Sequence, residues 1–301
     1  MTVGVVLMTY GAPSDDDDLP RYLSAVRGGR ALDDALVAEM RRRYAAIGGS
    51  PLVRITIAQA AALERTLGAR WPAAAGMRFS QPTIAEAVSE VVRRGAERIV
   101  GICMSPQWSP LLMGGYAREL AASCERAGVA HALAETWHRE PSFIASLAAS
   151  IRDGLAQCDA FVLLTAHSLP RRVFEAEPEY IAQLKDTGER VAAAAGLEDG
   201  RWAWAYQSAG HTHEEWLRPD LVDLFPAIGA SGATDVLVAP VQFLADHLEV
   251  LYDLDVAAAE QARAAGLRYR RIAMPNTRPS FIRALGDVAR RTAASALSSV
   301  A

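Results

Sequence analysis

Cysteine is scarce in this 301-residue chain: Cys103, Cys124 and Cys158 are its three copies, and they stand far apart. An odd number at such spacing argues against a disulfide framework and for a reducing compartment, so a cytoplasmic location is expected. No apolar run approaches the roughly 20 residues of a membrane-spanning helix. The start, Met1-Thr-Val-Gly4, lacks the basic stretch of a signal peptide and passes directly into a strand-like run. No Gly-x-Gly-x-x-Gly or Walker loop follows any such run, so a nucleotide-binding reading has no phosphate cradle. No Gly-x-Ser-x-Gly elbow occurs either, and Ser168 directly follows His167, which dismisses a serine hydrolase. A formal net charge of −4 leaves no basic stripe for nucleic acid.

What the chain does hold is apolar side chain. At 51% hydrophobic and 22% charged residues it can build sizeable cores, in one large domain or two of about 150 residues. Near-continuous apolar runs at 3–9, 98–104, 161–166, 202–207, 235–243 and 269–273 predict parallel strands buried on both faces. Helical patterns fall at 33–46, 56–67, 83–94, 116–126, 141–155, 181–195, 247–265 and 279–297. The alternation predicts an α/β fold with right-handed crossovers and a doubly wound parallel sheet. A faint internal repeat lays Val5-Val-Leu-Met-Thr-Tyr10-Gly over Val162-Leu-Leu-Thr-Ala-His167-Ser, and Ile102-Cys-Met-Ser-Pro-Gln107 over Leu237-Val-Ala-Pro-Val-Gln242. Two similar halves facing each other would bring Tyr10 and His167 to opposite walls of a cleft.

Two of these runs end abruptly in groups that bind metal or move protons. One is Phe161-Val-Leu-Leu-Thr-Ala-His167-Ser-Leu-Pro170; the other leads into Ala245-Asp-His247-Leu-Glu249-Val-Leu-Tyr-Asp253. In open α/β sheets the carboxyl ends of strands are where ligands sit. Glu249 and Asp253 are spaced i, i+4, so one helical face would present both carboxylates.

With Leu7-Met-Thr-Tyr10-Gly-Ala-Pro13, these segments closely resemble the ferrochelatase family, whose members insert ferrous iron into a porphyrin. The resemblance covers essentially the whole chain; its most specific segments are Ala166-His-Ser-Leu-Pro170, Tyr206-Gln-Ser208 and Ala245 through Asp253. It implies two Rossmann-like domains, 1–150 and 151–301, facing each other across a porphyrin-binding cleft, with the last helix able to pack back on the first. His167 becomes metal ligand or base, Glu249 its partner in metal binding and catalysis, and His247 a neighbour that orients them. Tyr10, Arg27, Arg43, Tyr44, Ser50 and Tyr116 carry over as porphyrin contacts, and Trp216 as a residue near the cleft. Arginine forks suit propionates; without the resemblance, Arg41, Arg42 and Arg43 are a solvated helix face. Imidazole with carboxylate holds Fe²⁺ loosely enough for release, where a thiolate cage would not. Two pyrrole protons must leave, and a histidine titrating near its ordinary value of about 6.5 can accept them.

Tyr-Gly-x-Pro at Tyr10 resembles the coproporphyrin-using bacterial branch, whereas protoporphyrin-using relatives usually carry an apolar residue there. The chain also lacks the C-terminal hydrophobic segment common in membrane-associated relatives. Coproporphyrin III and Fe²⁺ are the expected substrates, coprohaem the product, a coprohaem decarboxylase a downstream partner, and a monomer the expected state. Some relatives hold an iron–sulfur cluster, which needs about four thiolates; with three cysteines and none after Cys158, no cofactor beyond the substrate iron is expected.

Departures from the family pattern are Phe79-Ser-Gln-Pro82 and Gln107-Trp108, where relatives often have histidine, and Ala257, where the acidic row often continues. Ser14-Asp-Asp-Asp-Asp18 reads as an N-cap followed by acids in a first helical turn, or as a cation-attracting run. His211-Thr-His213 reads as an incidental exposed loop, or as a site for a second divalent ion. Three alternatives stay open: a protoporphyrin IX ferrochelatase, a cobalt chelatase of a corrin precursor, and a non-catalytic haem carrier, which would not need His167 and Glu249 together.

Overall fold

A computed structural model describes residues 1–210 and 214–298; the His211/His213 loop lies outside the described residues. Two four-stranded parallel sheets organise the chain. The first contains β1 (Val3–Thr9), β2 (Ala73–Met77), β3 (Arg98–Cys103) and β4 (Ala130–Ala134), in the order β2-β1-β3-β4. The second contains β5 (Phe161–His167), β6 (Trp202–Gln207), β7 (Asp235–Pro240) and β8 (Arg268–Arg271), in the order β6-β5-β7-β8. The orders match strand for strand, so β5 repeats β1 and β7 repeats β3, as the internal repeat predicts.

The pattern of side chains explains these positions. Every residue of β1 and of β7 is buried, which suits central strands covered on both faces. The edge strands differ: β8 alternates exposed and half-buried residues along Arg268-Tyr-Arg-Arg271, and charge blunts an edge against further pairing. The β2 and β4 strands, Ala-Ala-Ala-Gly-Met and Ala-His-Ala-Leu-Ala, fall outside the strands expected from sequence. Alanine and glycine have little intrinsic strand preference, and pairing with neighbours decides the matter here.

Helices flank the sheets: α1 (Leu19–Val26) packs on α2 (Asp34–Ala46), and α3 (Leu52–Leu67), α4 (Ile84–Arg93) and α5 (Pro110–Ala127) pack on the first sheet. After α6 (Pro141–Leu155), the segments α7 (Arg171–Ala176), α8 (Pro178–Ala195), α9 (Leu221–Ala230), α10 (Ala259–Ala264) and α11 (Pro279–Ser298) follow. Helix α6 packs mainly on α8, α11 and β7. The helix ends carry the expected chemistry. Thr83 and Glu86 form a capping box on α4, Ser109 caps α5 before Pro110, and Gly128 closes α5 in the left-handed conformation. The run Asp15 to Asp18 corrects the sequence reading, because it precedes the helix. Asp15 accepts from the Asp18 amide, Asp18 accepts from Ser14, and α1 begins only at Leu19. Helix α11 packs against α3, α6 and β4, with Phe281, Leu285 and Val288 in the largest core. Between α9 and α10 runs a ten-residue π-helix, Glu249–Ala258, wound with i to i+5 bonds where the sequence suggested an ordinary helix.

Candidate active site

The end of β5 meets the start of the π-helix. His167 Nε2 lies 3.4 Å from Glu249 Oε1, and the other carboxylate oxygen, Oε2, lies 3.5 Å from His247 Nε2. Each imidazole is oriented from behind. His167 Nδ1 donates to the Ser168 carbonyl, and its backbone amide donates to Gln242 Oε1 at 2.8 Å. Gln242 in turn donates to the Tyr180 hydroxyl at 2.7 Å. His247 Nδ1 faces the Ala245 carbonyl at 2.9 Å, and its ring stands edge-on to Phe243 at 4.6 Å. The loop that carries His247 is fixed across the molecule: Gln59 on α3 donates to the Leu244 and Asn276 carbonyls, and Asn276 brackets Asp246 through its side chain.

Electrostatics couple the pair. Burial alone would lower the His167 pKa, but the charge of Glu249 and its hydrogen bond outweigh that and raise it. Burial would raise Glu249, yet His167, aided by His247, holds its carboxyl well below the ordinary range. The two shifts run in the directions that favour an imidazolium–carboxylate pair. This corrects the expectation of a histidine titrating at its ordinary value: an incoming cation must first displace the His167 proton. The spacing suits that exchange. Two donors about 2.1 Å from one ion, at tetrahedral to right angles, lie about 3.0–3.4 Å apart. Among the described residues no three His, Cys, Asp or Glu side chains converge as a ready metal cage.

One turn along the π-helix, Asp253 stands with its pKa raised, by burial first and then by the Glu249 charge, while the Ser208 hydroxyl bond and Arg43 oppose the rise. Ser208 occupies the left-handed region at φ 57°, an uncommon conformation for a non-glycine residue and one that concentrates at functional sites. Arg43 reaches across from α2, its Nε 2.7 Å from Glu39 and its Nη1 3.4 Å from Asp253, with its guanidinium over the Tyr252 ring. It ties α2 to the π-helix. A cavity of about 690 Å³ is lined by Arg43, His167, Ser208, Trp216, Glu249 and Asp253, among others. Trp216 stands 6.4 Å from the His167 ring.

The other expected contacts divide. Tyr10 packs 5.1 Å from Phe79 and 6.1 Å from the buried Tyr116. Although 42% exposed at its surface, Tyr10 is lodged among enough protein for desolvation to raise its hydroxyl pKa; Arg78 opposes and Glu249 adds to the rise. Tyr44 is buried in a small cluster with Leu19, Tyr22 and Leu23, close enough for Glu249 to add to the burial that raises its pKa. Ser50 lies elsewhere, on a second cavity of about 730 Å³ lined also by Arg54, Arg78 and Phe79. Arg27 is exposed at the C-terminal end of α1. The structure thus brings His167, Glu249, Asp253 and Arg43 together around one cavity and packs Tyr10 against Tyr116 outside that cavity's lining, and it leaves Arg27 and Ser50 apart from it. Sequence reading missed Arg78, whose place depends on residues distant in the chain.

Two like α/β halves, each with one four-stranded parallel sheet, define the fold, and the His167–Glu249 pair lies where β5 ends. A solved structure of SirB from Bacillus subtilis with Fe³⁺ shares the fold, with a TM-score of 0.59 at 12% identity over 99% of this chain and 98% of that one. CbiX, the terminal enzyme of siroheme biosynthesis in denitrifying bacteria, matches with a TM-score of 0.58 at 14% identity over 97% and 99%. The ferrochelatase family model matches residues 2–293, and the chain belongs to the ferrochelatase family. It is 37% identical to a ferrochelatase of Deinococcus radiodurans over 97% of this chain and 96% of that one. It is equally 37% identical to the coproporphyrin III ferrochelatase of Geobacillus thermodenitrificans, over 95% of each.

Proposed function

We propose that this protein inserts Fe²⁺ into coproporphyrin III to give coprohaem III. The observation that carries the reading is the His167–Glu249 pair, with donors 3.4 Å apart, on a cavity of about 690 Å³ that Arg43, Trp216 and Asp253 also line. Fe²⁺ is a substrate here. His167 Nε2 and a Glu249 oxygen would take it up as the His167 proton passes to solvent, and the pyrrole nitrogens would complete its coordination as it passes into the ring. One released pyrrole proton would return the freed His167 to its imidazolium form, and the other would pass on to Asp253. Asp253, carrying a raised pKa and held by Ser208 and Arg43, stands one turn behind as the next proton acceptor.

Tyr10 supports the coproporphyrin assignment, as do relatives such as that of Geobacillus thermodenitrificans, whose name specifies that substrate. No helix among the described residues is long and apolar enough to cross a membrane. The test is anaerobic Fe²⁺ insertion with coproporphyrin III and protoporphyrin IX compared side by side. A higher kcat/KM for coproporphyrin III is expected; a preference for protoporphyrin IX would overturn the substrate assignment, and activity with neither would overturn the reaction.

A further inference from the structure

We infer that Arg78, seated on the rings of Phe79 and Tyr116 and facing Arg54 across the second cavity, is a carboxylate-binding subsite for a tetrapyrrole with more than two carboxylates. The inference rests on the porphyrin reading above and adds which edge of the ring is read. Arg78 follows β2 and is half-buried, with its guanidinium 4.8 Å from the Phe79 centroid and 5.6 Å from that of Tyr116. Among the described residues it forms no ion pair, and the half-buried Glu119 feels its charge without reaching it.

Gly115 makes the seat possible. A Cβ built there would lie 2.1 Å from the Arg78 guanidinium carbon, so any larger residue must push the fork off Tyr116. Gly115 in α5 is thereby explained as clearance for the Arg78 cation. A half-buried arginine stacked on aromatics, with its donors unpaired, is preorganised for a carboxylate.

The surrounding cavity has the matching character. Its volume of about 730 Å³ is that of a small-molecule site. Its lining offers apolar Ala12, Val53, Ile57 and Phe79 together with Arg21, Arg54 and Arg78, against a single carboxylate, Asp18. That carboxylate is neutralised by Arg21, so the two remaining arginines have no anion of their own. Phe79 also joins this cavity to the Tyr10 cluster, 5.1 Å ring to ring. A flat apolar ring resting against Tyr10 would therefore project an edge substituent to Arg78, with a second within reach of Arg54.

The test is a fluorescence titration of the full-length protein with metal-free coproporphyrin III, which has four carboxylates, and protoporphyrin IX, which has two. Arg78→Gln is expected to weaken coproporphyrin III binding about tenfold or more and protoporphyrin IX binding less than about threefold. Arg78→Lys, which keeps the charge, is expected to recover part of the loss. Gly115→Ala keeps Arg78 and adds a helix-favouring methyl, yet by displacing the fork it is expected to shift binding in the same selective direction. If Arg78→Gln and Gly115→Ala weaken both porphyrins equally, or neither, the subsite is overturned while the proposed reaction stands. A wild-type protein that binds neither porphyrin would overturn the reaction reading and this inference together.

Discussion

The two sheets share one strand order, but their equivalent strands end in different chemistry. β1 leads into Tyr10, a neutral phenol packed among Phe79, Tyr116 and Arg78. β5 ends in His167, an imidazole whose pKa Glu249 raises. The contrast repeats one strand over. After β3, Gln107 donates to Thr187 and the chain enters α5, which supplies Tyr116. After β7, Gln242 holds the His167 amide and the chain enters the π-helix, which supplies Glu249 and Asp253. On the proposed reading, the repeated scaffold divides its work between an aromatic cluster that would position a flat ligand and an ionic pair that would handle metal and protons. The ligand-binding location is a property of the fold, whereas the reaction is a property of what each half places there.

Changes to the ionic pair should have the largest effects. Glu249→Gln keeps shape but removes the charge that pairs with His167. Anaerobic insertion assays should show a loss of about 100-fold or more, with coproporphyrin binding changed less than about threefold. If affinity fell and turnover did not, the carboxylate would belong to substrate positioning instead.

Arg43→Ala should be next. Arg43 already holds Glu39 and Asp253, so its removal both frees Asp253 and deletes a donor for a propionate. A weakening of coproporphyrin III binding by about 1.5–3 kcal/mol in a fluorescence titration would place the arginine on the ligand. Unchanged binding would make it a strut between α2 and the π-helix alone.

The electrostatic coupling predicts a pH dependence. Proton and metal compete for His167 Nε2, so metal uptake is weakened wherever the imidazole is protonated, that is, below its folded pKa. Because Glu249 raises that pKa above the ordinary value of about 6.5, the KM for the metal should keep falling as pH rises past neutrality. In Glu249→Gln, burial acts without the counter-charge, and the fall should level off at lower pH. Identical profiles for the two proteins, measured with Fe²⁺ under nitrogen, would show that the coupling does not govern uptake.

Tyr10→Phe should be the mildest change on the rate of insertion, within about threefold, because the ionic pair is untouched. Its signature should be spectral. If the phenol binds product iron, the coprohaem complex should lose its tyrosinate-type absorption. An unaltered spectrum would remove the axial-ligand role and leave Tyr10 as a packing surface.

Much of this division was legible in the chain. The apolar runs at β1, β3, β5, β6 and β7 gave the buried strands, and the repeat of Tyr10 on His167 correctly paired β1 with β5. His167 and Glu249 could be associated because each follows such a run. What escaped was of three kinds. Weak local signals hid β2 and β4, whose alanines pair only in context, and α9, which has Pro226 inside it. The protonation state of His167 depends on a distance, not on a residue type. Arg78 becomes conspicuous only when Gly115, 37 positions later, clears space for its guanidinium.

The most direct measurement of this division of work is His167→Ala in anaerobic Fe²⁺ insertion, with coproporphyrin III binding titrated on the same preparation. The account predicts that insertion falls by about 100-fold or more while binding stays within about tenfold, because the imidazole serves the metal and its proton and the aromatic cluster holds the ring. A variant that retained more than about a tenth of wild-type insertion would contradict it and move the metal chemistry away from the end of β5.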